Sequence, residues 1–192
     1  MNILMLTPQM PYPPYQGATL RNLGLLRGLA KADECKIWLM TFQTPGQPAP
    51  EETPLAELCE RVIAVPAPPP RPVSQRIRDL LLTPAPDMKL RLLSSAFADA
   101  LRDLLDRRAF DYVQIEGIEM AAFLPLLVRS RLVYDAHNAE YKLQRSAFLT
   151  DLRDPRRWPG ALYSFVQWQR LIAFEREVCE SADHVLAVSQ MD

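Results

Sequence analysis

The chain has only two histidines, and one of them, His137, lies in the segment YDAHNAEY (residues 134–141), where a short apolar run gives way to Asp135, His137, Asn138 and Glu140. An imidazole titrates near neutral pH, donates from one ring nitrogen and accepts at the other, so it can hold a hydroxyl or steady a developing charge. A histidine can equally tie a loop to a neighbouring carbonyl; a place just past a strand end favours the chemical role. Carboxylates in such a place suit sugar hydroxyls, because each oxygen accepts hydrogen bonds. Asp135 and Glu140 qualify here, and Glu116 qualifies after an earlier apolar run, with Gly117 next to it. Glu119 reads as a first-turn glutamate favoured by a helix dipole.

A third group follows the first apolar run, in TPQMPYPPYQGATLR. Gly17 and Thr19 open a helix whose free amides suit an anion such as a pyrophosphate, with Arg21 in its first turn. Gly17 as a plain turn residue and Arg21 as a solvated cation is the alternative. Ser189 follows the last apolar run, whereas His184 stands before it and reads as a surface residue.

These residues need a frame that brings them together. Fifteen of the eighteen prolines cluster at residues 8–14, 45–54, 66–72 and 84–86, marking connections, since proline lacks a backbone donor and fixes φ. Between them, strands are predicted at 2–6, 36–42, 62–65, 112–115, 132–134 and 185–188, and helices at 17–31, 54–60, 73–82, 87–108, 118–128 and 162–180. Leu20, Leu23, Leu26 and Ala30 share one face of the first helix. Asp87 is the expected N-cap of the 87–108 helix, whose stripe is Leu90, Leu93, Phe97, Leu101, Leu104 and Leu105. Strands alternating with helices imply a Rossmann-like, doubly wound, mostly parallel sheet of about six to seven strands with helices on both faces. Residues 1–192 then form one domain, and ligands belong in the crevice beyond the carboxyl ends of the strands.

Composition narrows the function. A formal charge of −1 and 48% hydrophobic residues describe a near-neutral globular chain with no basic excess for nucleic acid. Cys35, Cys59 and Cys179 are far apart, without CxxC or Cys/His spacing, so neither a zinc site nor a disulfide framework is expected. The N-terminus has no basic region ahead of its short apolar run and reads as a strand, and no run is long enough to span a bilayer. A cytoplasmic protein is expected. The chain lacks GxGxxG after the first strand, GxxxxGK[ST] and GxSxG, which removes the usual dinucleotide, P-loop and nucleophile-elbow chemistries.

The segments NILMLTPQMPYPPYQGATLRNLGLLRGLAK, FDYVQIEG, LVYDAHNAEY, ERE and SADHVLAVSQMD, in this order, resemble the N-terminal domain of GT-B glycosyltransferases of retaining glycosyltransferase family 4. The resemblance extends over nearly the whole chain. It implies an acceptor-binding half that faces a second, nucleotide-sugar-binding domain absent from these residues, so the chain alone is expected to be inactive. The co-substrate would be a nucleotide-diphosphate sugar, with no cofactor and no metal, and the acceptor a glycan or lipid-linked molecule, as in polysaccharide biosynthesis. By resemblance His137 meets the transferred sugar at the reacting centre. Gly17, Arg21, Asn138 and Ser189 lie towards donor phosphates or sugar, and Glu116, Asp135 and Glu140 towards the acceptor. Arg71, Arg76, Arg78, Lys89 and Arg91 outnumber Asp79 and Asp87 around the middle helices and suggest peripheral contact with the inner face of a membrane. Half of a sugar-nucleotide epimerase, or a non-catalytic Rossmann-like binding module, are the competing readings.

Overall fold

The computed structural model describes residues 1–32 and 34–189. Six strands form one parallel sheet in the order β3-β2-β1-β4-β5-β6: β1 Asn2–Thr7, β2 Lys36–Gln43, β3 Arg61–Pro66, β4 Tyr112–Glu116, β5 Leu132–Ala136 and β6 His184–Ala187. The helices are α1 Gly17–Leu29, α2 Leu55–Leu58, α3 Val73–Leu82, α4 Asp87–Arg91, α5 Ser95–Arg107, α6 Glu140–Asp151 and α7 Trp158–Ser181. This is the doubly wound Rossmann-like order, in which the strand sequence reverses between β1 and β4.

Side chains alternate across the strands and so divide the core in two. Met5, Ile37 and Leu39 pack with Leu23 and Leu26 of α1 and Leu55 of α2 on one face. On the other, Leu4, Leu6, Met40, Phe42, Val113 and Ile115 meet α5, α7 and a 3-10 helix over Ile118–Leu126. Phe97 of α5 joins this second layer, its ring 4.4 Å from Phe42 and 4.5 Å from Phe123. Burial on both faces explains why β1 and β2 read as nearly continuous apolar runs.

Four local expectations are corrected. The helix expected over 87–108 is two helices: Leu92 leaves helical geometry, and Ser94 caps α5 by accepting from the Phe97 amide at 3.3 Å. Asp87 is the first residue of α4 and no N-cap, its carboxylate being held by Arg71 and Arg76. Leu20 and Leu93, placed on buried stripes, are exposed. The segment after β4 winds as a 3-10 helix that contains Pro125. In addition, α6 occupies a stretch for which no element is predicted.

Candidate active site

β4 and β5 end side by side, with Glu116 directly opposite Asp135 in the parallel register. Both carboxylates are fully buried. Burying two adjacent negative charges is tolerable only where cations and hydrogen-bond donors surround them. Arg21, from the first turns of α1, grips Asp135 with a two-pronged fork: Nε donates to Oδ2 at 2.9 Å and Nη2 to Oδ1 at 2.7 Å. Planar bidentate pairing is the strong form of this contact.

Glu116 is satisfied from three sides. Its Oε1 accepts from Gln114 Nε2 at 2.6 Å, and its Oε2 lies 3.0 Å from His137 Nε2. The Asn22 amide, turned so that its nitrogen donates, adds a bond of 2.8 Å to Oε2 and one of 3.1 Å to the Ala18 carbonyl. Burial opposes charge on His137, but the hydrogen bond to Glu116 and the nearby charges of Glu116 and Asp135 outweigh it and raise its pKa. Burial likewise raises Glu116, against the pull of its His137 hydrogen bond. Two carboxylates face one permanent cation here, so a proton on His137 completes the balance. Glu116, Asp135 and His137 each bring a donor atom within 4.8 Å of the others. Arg21 already holds both Asp135 oxygens and both Glu116 oxygens are engaged, so the group is closed as an ion-pair network.

His137 is the member of this network that reaches a cavity. The cavity, about 380 Å³, is lined by Gln9, Gln16, Gly117, Glu119, His137 and Glu140, together with Arg91 and Asn138. Its walls come from the loops after β1, β4 and β5, where the strand order reverses. Gly117 is required there: its φ of 77° and ψ of 161° belong to a region that side chains avoid. A Cβ would also stand 3.1 Å from Glu119 Oε2 and 3.7 Å from His137 Nδ1. Burial raises the Glu140 pKa, partly offset by a hydrogen bond from Asn138.

The sequence-selected residues thus separate by position. His137, Asn138 and Glu140 line the cavity. Glu116 and Asp135, expected to take acceptor hydroxyls, are fully buried and turned to protein partners, which removes them from direct contact with a ligand. Arg21 spends its Nε and Nη2 on Asp135 instead of a phosphate. Gly17 is exposed at the start of α1 with nothing within 4 Å of a would-be Cβ, while its neighbours Gln16 and Ala18 line the cavity. Ser189 is exposed beyond β6 and outside this lining. Gln9, Gln16 and Arg91 were not expected as lining, and Glu119, read as a dipole partner, faces the cavity in an ion pair of 3.6 Å with Arg91.

Residues 16–192 match the family model described as a glycosyl transferase 4-like domain. The chain belongs to this glycosyltransferase family. A solved structure described as a UGT transferase from Siraitia grosvenorii in complex with UDP is 14% identical, with a TM-score of 0.42 over 81% of this chain and 32% of that one. The glycosyl transferase 4-like chain therefore spans about a third of that protein's length. No curated protein matches it. Among the described residues, no helix is long and apolar enough to cross a membrane.

Proposed function

We propose that this chain is the acceptor-side, N-terminal domain of a retaining GT-B glycosyltransferase, working with a second domain that binds a nucleotide-diphosphate sugar. The observation that carries this reading is His137. It is the one member of the buried charge network that borders a polar cavity, at the strand-order reversal of a glycosyltransferase-family domain. A cavity walled by glutamine amides, two glutamates and an imidazole offers the paired donors and acceptors that a sugar ring requires.

In the proposed reaction the acceptor hydroxyl attacks the anomeric carbon from the face that the phosphate leaves. A carbon–oxygen bond forms to the acceptor, the bond to the diphosphate breaks, and the hydroxyl proton passes to the departing phosphate oxygen. His137 meets the transferred sugar, Glu140 and Asn138 hold hydroxyls beside it, and the start of α1 around Gly17 faces the diphosphate. The step uses no metal and no cofactor besides the sugar nucleotide. Ser189 lies towards the donor side. In the full-length protein, His137→Ala is expected to lower transfer by about a hundredfold or more with the fold intact. Near-normal transfer by that variant would assign the histidine to structure.

We further propose a glycan or lipid-linked acceptor, met at the cytoplasmic face of a membrane. Support comes from α3, whose Val73, Ile77 and Leu81 recur every fourth residue and are 68, 52 and 76% exposed. The basic residues give less support than their number suggests. Arg71 pairs with Asp79 and Asp87, Arg76 with Asp87, Arg78 with Asp79, and Arg91 with Asp87 and Glu119, while Lys89 lies over the Phe174 ring.

A further inference from the structure

We infer that Glu116 is the positioning residue of His137: it holds Nε2–H from below, so that Nδ1 is the ring nitrogen offered to a ligand oxygen in the cavity. This rests on the reading above that His137 meets the substrate, but its geometry stands on its own. Glu116 is fully buried and anchored through Oε1 by Gln114 at 2.6 Å, and its Oε2 is 3.0 Å from His137 Nε2 and 2.8 Å from the Asn22 amide nitrogen. A carboxylate fixed by two amides from β4 and α1 cannot follow the ring if it turns. Ionised, it accepts from Nε2 and cannot donate, which decides the tautomer.

The opposite edge of the ring lies over Gly117, where a would-be Cβ comes within 3.7 Å of Nδ1. The charged groups around the ring are Glu116 from β4, Asp135 from β5, Arg21 from α1, Glu119 from the 3-10 helix, Glu140 from α6 and, across the cavity, Arg91 from α4. With its proton, Nδ1 donates to a hydroxyl or phosphate oxygen; without it, Nδ1 accepts from a hydroxyl. In both states one ring atom makes the contact, and its direction is set by a residue that touches no ligand. Orientation of a functional imidazole through its second nitrogen is a general device.

Long-range proton–nitrogen NMR of the histidine side chains tests this on the wild-type chain, with exposed His184 as the internal reference. Above its titration midpoint His137 is expected as the Nε2–H tautomer, and in Glu116→Gln its midpoint is expected to move to lower pH while that of His184 stays. A neutral Nδ1–H tautomer in the wild type, or an unmoved His137 midpoint in folded Glu116→Gln, would overturn the assignment. Should the variant not fold, the wild-type tautomer decides alone. These spectra judge the positioning role, and the His137→Ala transfer assay judges whether the histidine meets substrate, so either can fail without the other.

Discussion

At Gly117 one residue satisfies two demands that no other type meets. The chain must turn from β4 into the 3-10 helix with φ at 77° and ψ at 161°, and Glu119 Oε2 would stand only 3.1 Å from a Cβ there. Gly117→Ala is therefore expected to cost about 1–3 kcal/mol of stability from backbone strain. The Glu119 carboxylate has to swing away from the new methyl, and the cavity edge of His137 is narrowed. Urea unfolding checks the first effect, and a shift of the His137 resonances in the folded variant checks the second; wild-type stability would contradict the strain. Which residues could be chemical was legible in YDAHNAEY and FDYVQIEG, because the strand-end pattern is local in sequence. Which of them face the ligand was not. Glu116 and Asp135 are called inward by Arg21, Asn22 and Gln114, and a cross-strand partner such as Asp135 for Glu116 depends on a register that no local pattern prints.

The same division holds for whole elements. The sheet was readable because its strands are short, mostly apolar runs between polar or proline-rich connections, and α3 matches its expected bounds because prolines frame it. The segment of α6 was missed because EYKLQRSAFLTD buries no residue fully and shows no clear stripe. Its stability comes from α7: Phe148 packs 5.4 Å from Phe165 and 6.1 Å from Trp168, and Glu175 receives the amide of Glu140 at 2.6 Å. That carboxylate serves as an N-terminal cap delivered from another helix. In α3 the local pattern is clear and the partner is not. Its polar side docks on α7 through Arg76 with Tyr163 at 2.9 Å and Arg170 with the Leu80 carbonyl at 2.6 Å, which leaves Val73, Ile77 and Leu81 outward. If that stripe meets a bilayer, liposomes with anionic lipid should carry the protein upward in flotation, and Ile77→Glu with Leu81→Glu should abolish it. Because the nearby basic residues are paired, salt should weaken flotation only slightly. Failure of the wild-type protein to float would end the membrane reading.

Across the molecule, the shifted titratable groups of the cavity region act on stability with one sign. A carboxyl whose folded pKa is raised holds its proton more tightly folded than unfolded. Its stabilising contribution is complete at low pH and is lost as pH rises from the ordinary value through the folded one. For Glu175, raised by burial against the amides of Tyr141 and Glu140, that window runs from 4.5 to about 7. Burial moves Glu116 and Glu140 in the same direction from 4.5. His137 is raised above 6.5, so its contribution is present below 6.5 and is likewise lost as pH rises through its folded value. Tm is therefore expected to be higher at about pH 5 than at about pH 8, the reverse of a fold held by carboxylates with depressed pKa values. Glu175→Gln keeps an acceptor for the α6 amides but carries no charge, so it should flatten the lower part of this decline and leave the part belonging to His137. Thermal unfolding of both proteins across that range is the measurement. A wild-type Tm that rises with pH would mean that these groups do not govern stability; a decline equally steep in Glu175→Gln would remove Glu175 from it. His137, raised above 6.5, gives up its share as pH climbs, so a cavity that works near neutrality does so where the fold is giving up part of its stability to keep charged groups at the strand ends.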